Sequence, residues 1–264
     1  LSYFKKGMSF EGNADNILFG KNPRLKDEFN RLFNAIFSNP EDCKKIIRLL
    51  AKKHVGFTRE EIAKETGLPF GGGLTDTLNA LVESDFIQRY RPYNVSGKVS
   101  FYKLIDNFSL FWLKYVEPNT EDINFMTDNM TSNIMRVWRG VAFEEVCWQH
   151  IGQIKRALGI SGVSSSISAW SVKGNDNKEG VQIDLLIIRN DNVVNLCEMK
   201  FAGDIYSIDK EEDAKIRNRI QTLINTLSPK QSVHLTMITT YGVSHTMYGG
   251  RVQQQVILDD LFLS

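Results

Sequence analysis

The 264-residue chain holds only three cysteines, Cys43, Cys147 and Cys197, at scattered positions and without a CxxC. An odd, dispersed set excludes a disulfide framework and a thiolate zinc cluster, and is expected of reduced thiols in a cytoplasmic protein. No apolar run approaches a membrane span and no secretory signal opens the chain, so no membrane partner is expected. A G-x-x-x-x-G-K-[ST] loop is missing, which excludes ATP binding through a P-loop within this stretch. The histidines show no ligand spacing, and Ser164-Ser165-Ser166 lacks a nucleophile elbow. A net charge of +1 supplies no global attraction for nucleic acid, so any such surface has to be a local patch. The first residue is Leu1, and the chain reads as part of a longer protein.

What is present centres on 181–201, VQIDLLIIRNDNVVNLCEMKF. Two runs rich in Val, Ile and Leu flank Asn190-Asp191-Asn192, which has turn chemistry. With those three residues as the loop, Arg189 meets Val193, and counting outward sets Asp184 opposite Glu198. Strand alternation then puts Lys200 on the face of Glu198. Two carboxylates and an ammonium on one face of an apolar hairpin are costly unless compensated, and like charges directly opposite destabilise a sheet. A hard divalent cation between the carboxylates would compensate them, and the lysine could then hold or polarise a metal-bound water.

Residues 135–158 are predicted as one long helix with Val137, Val141, Cys147, Trp148, Ile151 and Leu158 along one stripe. Glu144 falls within the stripe and Glu145 away from it, so Glu144 is either ion-paired or a third acid of the metal site. Gly140, one turn earlier, would allow close approach of the sheet. A strand over 166–172 precedes the hairpin, and a weak strand (205–208), the amphipathic helix DKEEDAKIRNRIQTLINTL, the strand SVHLTMITTYG and a closing VQQQVILDDLF follow it. Lys210 and Arg217 on that helix could contact phosphate, or form a solvated face.

Upstream, LKDEFNRLFNAIF is amphipathic, and PEDCKKIIRLLAKK starts with proline at a helix N-terminus. Thr58 with Glu61 predicts a capping box. A helix over 74–86 and two strands, FIQRYRPY and KVSFYKLID, complete a winged helix-turn-helix pattern. That third helix carries Asp76, Glu83 and Asp85 and no Lys or Arg, which suits it poorly to a groove lined with phosphates. The wing is better suited, through Arg89, Arg91, Lys98 and Lys103. A DNA-contacting wing and a structural or protein-docking module both fit this charge pattern.

With these residues in view, the second half resembles the PD-(D/E)xK nuclease superfamily, whose core runs α-β-β-β-α-β. The resemblance implies Asp184, Glu198 and the Met199 main-chain carbonyl as ligands of Mg2+ or Mn2+, Lys200 as the catalytic lysine, and Glu144 as the helix acid. The leading proline of the signature is replaced by Ile183. The whole chain is similar to the C-terminal portion of a family of prokaryotic AAA-type ATPases, through LSYF, LKDEFNRLF, FSLFWLKYVEPN, WRGVAFEEVCWQH, VQIDLLIIR, NLCEMKF and DDLF in that order. ATP would then be bound only by an ATPase core preceding residue 1.

The expected fold is α+β or α/β: a helical remnant of an ATPase lid (1–39), a winged helix-turn-helix (40–106), a connecting helix and linker (107–134) and a nuclease-like α/β sandwich (135–264). The expected function is a nucleic-acid-associated module, with DNA as partner and a divalent-metal-dependent phosphodiester hydrolysis site. The alternative is an inert nuclease-like scaffold that docks protein or DNA.

Overall fold

The computed structural model describes residues 3–93, 99–172, 174 and 180–263. Helices and two open sheets alternate along the chain, giving an α+β fold. Two compact units emerge, Leu1–Arg89 with Tyr102–Ala142, and Tyr90–Phe101 with Phe143–Ser264. Among the described residues no helix is long and apolar enough to cross a membrane.

In the first unit, α1 (Phe10–Ala14) and α2 (Glu28–Ile36) precede α3 (Pro40–Leu50). Pro40 sits in the first turn of α3, and Cys43, Ile46, Ile47, Leu49 and Leu50 are buried from it. A two-residue strand β1 (Phe57–Thr58) leads into α4 (Arg59–Thr66) through the predicted capping box. There the Thr58 hydroxyl accepts from Glu61 N–H at 3.1 Å, while the Glu61 carboxylate accepts from Thr58 N–H at 2.7 Å. Next come α5 (Gly72–Glu83), β2 (Ile87–Tyr90) and β3 (Phe101–Leu104), with the sheet order β1-β3-β2. Leu74, Leu78 and Leu81 of α5 are buried as their spacing requires.

The aromatic stretch after β3 continues as α6 (Asn107–Phe111) and a wider turn over Trp112–Val116. Its rings pack with Phe19, Phe29 and Trp138 into one core, so it is a packing spine. The polar part of the expected connecting helix and linker (107–134) contains the short helix α7 (Phe125–Asn129) with Phe125 and Met126 buried. What holds it is Asp15, whose buried carboxylate accepts from the Met126 and Thr127 amides at 2.7 and 3.0 Å and from the Thr127 hydroxyl at 2.6 Å.

The predicted helix over 135–158 is two helices, α8 (Asn133–Gln149) and α9 (Ile151–Ala157), interrupted at His150. The division between units falls inside α8, and its parts bury different faces. Met135 joins the first core, whereas Phe143, Glu145, Cys147 and Trp148 are buried in the second unit and Val137 is 50% exposed. One stripe angle therefore does not describe it, and the expected contrast is reversed: Glu145 is fully buried and Glu144 half-buried. Gly140 makes no close approach either, since a Cβ there would meet nothing within 4 Å.

The second unit is built on a five-stranded sheet in the order β4-β5-β6-β7-β8. The strands are β4 (Ser165–Val172), β5 (Val181–Arg189), β6 (Val193–Lys200), β7 (Ser232–Thr239) and β8 (Gln254–Ile257), with α10 (Lys210–Ile224) between β6 and β7. β4, β5 and β6 run antiparallel, and β6, β7 and β8 parallel. The expected weak strand at 205–208 reduces to a single bridge, Tyr206 to Val243. Val194 and Leu196 of β6 pack with Leu235 and Met237 of β7 and with Ile216 and Leu223 of α10.

Candidate active site

The turn chemistry of Asn190-Asp191-Asn192 sets the register of the hairpin. Asn192 takes a φ of 67°, which an asparagine tolerates in a tight connection. The β5–β6 ladder runs from Ile188/Val194 to Leu185/Cys197. One step further in that register stand Asp184 and Glu198, just beyond the last pair, as the turn predicts. On the other side, β6 stays paired to β7 through Lys200. The acids thus lie at the mouth where the hairpin opens, while the parallel ladder still holds the backbone of Glu198, Met199 and Lys200.

Glu144 reaches the same place from α8. Its carboxylate oxygen and that of Asp184 lie within 4.8 Å of one another. The Gln182 side-chain amide donates to Asp184 Oδ1 at 2.6 Å. Tyr90, whose ring lies 5.4 Å from that of Trp148, has its phenol pushed up by burial and then by the Asp184 charge.

Glu198 and Lys200 face α10. On that helix Glu212, Ile216, Arg219 and Leu223 follow one another at helical spacing, so the stripe that buries Ile216 and Leu223 also aims Glu212 and Arg219 at the sheet. Arg219 Nη1 donates to Glu198 Oε2 at 3.1 Å and lies 3.9 Å from Glu212 Oε1. Lys200 Nζ is 2.7 Å from that same Glu212 oxygen. Burial raises the Glu198 carboxyl to about 7, opposed by Arg219 and Lys200 and reinforced by Glu212 and Asp184. Burial alone would lower the Lys200 ammonium, but the Glu212 carboxylate, followed by Glu198, outweighs it and raises it. Lys200 is therefore held as a cation, suited to steady negative charge rather than to take up a proton.

Glu212 and Arg219 were missed by sequence reasoning, which singled out Lys210 and Arg217 on the same helix. Their spacing to Ile216 and Leu223 was the signal available. Lys210 is exposed, and Arg217 is tied to the buried Asp213 at 3.0 Å, a carboxylate also held by Arg251 at 2.9 Å. A cleft of about 530 Å3 borders this face, lined by Gln182, Glu211, Lys215, Asn218 and Arg219. It is not a strongly basic groove, because Lys215 is paired to Glu211 at 2.7 Å and Arg219 to Glu198.

The wing residues separate. Arg89 and Arg91 are exposed, and Lys98 lies outside the described residues. Lys103 is only 3% exposed and cannot serve as a phosphate contact; it sits on β3, the central strand of its sheet, where both faces are covered. Part of the expected wing is anchored to β4: the Ser168 hydroxyl donates to the Arg91 carbonyl at 2.6 Å, and Tyr93 N–H to the Ala169 carbonyl at 3.1 Å.

No family model matches the chain, and no solved structure matches it. Over 173 residues, 64% of its length, it is 27% identical to an uncharacterized protein of Methanocaldococcus jannaschii. The chain spans 37% of that relative's own length.

Proposed function

We propose that the second unit is a nuclease-like domain of the PD-(D/E)xK type, binding Mg2+ or Mn2+ and hydrolysing phosphodiester bonds of nucleic acid, with DNA as the substrate class. The observation that carries this reading is the convergence of Glu144 and Asp184 within 4.8 Å, one step beyond the last paired residues of the hairpin, Leu185 and Cys197, where continued register would set Glu198 opposite Asp184. The donors that the resemblance assigns are all oxygen, as a hard cation prefers: Asp184, Glu198 and the Met199 carbonyl, with Glu144 beside them. When bound, the cation supplies Lewis acidity to the phosphate and lowers the pKa of a water. Hydrolysis joins the water oxygen to phosphorus, releasing one water proton to solvent, and breaks the bond to the leaving sugar oxygen, which takes up a proton from solvent. In that step Lys200, kept cationic, steadies the negative charge that builds on the phosphate oxygens. Glu144 helps Asp184 fix the cation's position. The first unit is then a winged helix-turn-helix whose exposed Arg89 can meet backbone phosphate, and the chain the C-terminal part of an AAA-type ATPase.

A second reading has a specific observation in its favour. Both Glu198 and Lys200 are already engaged by α10, through Arg219 and Glu212, as an inert scaffold would have them. Calorimetric titration with Mg2+ and Mn2+ of the chain and of Asp184→Ala separates the two. Binding that disappears in the variant supports the nuclease-like site, and no binding at millimolar metal leaves the scaffold.

A further inference from the structure

Resting on that reading of the site, we propose that Arg219 is an internal counter-ion which a divalent cation must displace from Glu198, and that Glu212 receives it and thereby releases Lys200. The geometry is a four-membered chain of alternating charge. Arg219 Nη1 stands 3.1 Å from Glu198 and 3.9 Å from Glu212 Oε1, and that oxygen holds Lys200 Nζ at 2.7 Å. One carboxylate oxygen thus lies within reach of both cations, held closely by Lys200 and at longer range by Arg219, so a closer approach of Arg219 weakens its hold on Lys200. The four side chains are 9%, 16%, 25% and 27% exposed for Glu198, Glu212, Arg219 and Lys200, so water screens their competition weakly.

The direction of exchange follows from charge. A dipositive ion at Asp184 and Glu198 repels the guanidinium across a short, poorly screened distance and takes over its acceptor. Glu212 is the nearest carboxylate left to Arg219, and a helix carrying both holds them at fixed spacing while a side-chain rotation makes the transfer. As Arg219 closes on Glu212, Lys200 loses part of its hold there and turns along its strand face toward Glu198 and the reacting phosphate. Without the cation the same residues keep the lysine on α10 and Glu198 neutralised. Arg219 and Glu212 are positioning residues in this scheme. They act on Glu198 and Lys200 and touch no substrate.

The test uses the full chain and the metal alone. Mg2+ affinity is measured by calorimetry for the chain, for Arg219→Met and for Asp184→Ala, and the guanidinium nitrogen resonances of Arg219, assigned by their loss in Arg219→Met, are followed as Mg2+ is added. The expected result is binding about tenfold tighter in Arg219→Met, abolished by Asp184→Ala, with the Arg219 resonances shifting in the unmodified chain at the concentrations that saturate it. Binding in Arg219→Met alone overturns the exchange as well, because a cation that cannot displace Arg219 leaves the unmodified chain a scaffold. Equal or weaker binding in Arg219→Met, or Arg219 resonances that stay unmoved while Mg2+ binds, overturns the exchange and leaves the metal site standing. Absence of binding in the chain and in Arg219→Met alike overturns the metal site itself and the exchange with it. Where the methionine variant does not fold, loss of the same resonances in the charge-conserving Arg219→Lys assigns them, and their response to Mg2+ in the unmodified chain decides the matter.

Discussion

Glu198→Gln in metal-free protein isolates the cost of burying that acid. Glu198 as a residue is 7% exposed, and burial raises its carboxyl from 4.5 to about 7, with Arg219 and Lys200 pulling the other way and Glu212 and Asp184 adding to the rise. At about 1.4 kcal/mol per pH unit the difference amounts to about 3 kcal/mol. A folded-state pKa above the unfolded one means the native protein holds its proton more tightly. The stabilisation is complete below 4.5, the unfolded value, and is lost as pH rises through about 7. Glutamine does not titrate, so the stability of Glu198→Gln relative to the unmodified chain should climb by about 2–3 kcal/mol between about pH 5 and about pH 8.5. Urea unfolding of both proteins in a chelator, at several pH values, measures it. A difference that stays flat within about 0.5 kcal/mol, or that falls with pH, would show that the two cations outweigh desolvation and that Glu198 sits comfortably ionised. Saturating Mg2+ should then restore the unmodified chain at high pH and leave the variant behind.

Gly56 has a φ of 78°, and a Cβ there would lie 2.1 Å from the Tyr102 carbonyl oxygen, so Gly56→Ala should lose about 2–4 kcal/mol in denaturant unfolding. Gly67, with a φ of 71° and open space around it, provides the comparison: Gly67→Ala should lose about 1 kcal/mol, and equal losses at the two positions would refute the steric argument. If the wing contacts DNA, the double change Arg89→Glu with Arg91→Glu should weaken duplex binding and flatten the salt dependence of log K by about 1.8. Lys103→Met should leave that slope unchanged because the lysine is buried, and a slope unmoved by the arginine changes would assign this surface to protein docking or structure.

Much of the local structure was legible because it depends on neighbours in the chain. Pro40 opening α3, the Thr58–Glu61 box and the three-residue turn at Asn190–Asn192 each satisfy backbone demands within a few residues, so residue type alone announces them. The turn went further: by setting register it placed Asp184 across from Glu198 before any packing was known. Helix faces were less legible. A wheel over 135–158 presumes one helix against one core, whereas α8 stops at Gln149 and the division between units falls inside it, and Glu145 rather than Glu144 is the fully buried acid.

The sequence by itself determined the hairpin, its register, and the presence of two acids and a lysine on its open end, because strand alternation and a tight turn are short-range rules. Tertiary structure decided what those groups face. Only the packing of α10 across the sheet brings Arg219 to Glu198 and Glu212 to Lys200, and only α8 brings Glu144 to Asp184. Burial of β3 within its own sheet likewise withdrew Lys103 from solvent. The physical reason is range: a covalent register holds over a few residues, while the partner of a buried charge is whichever element of the fold is laid against it.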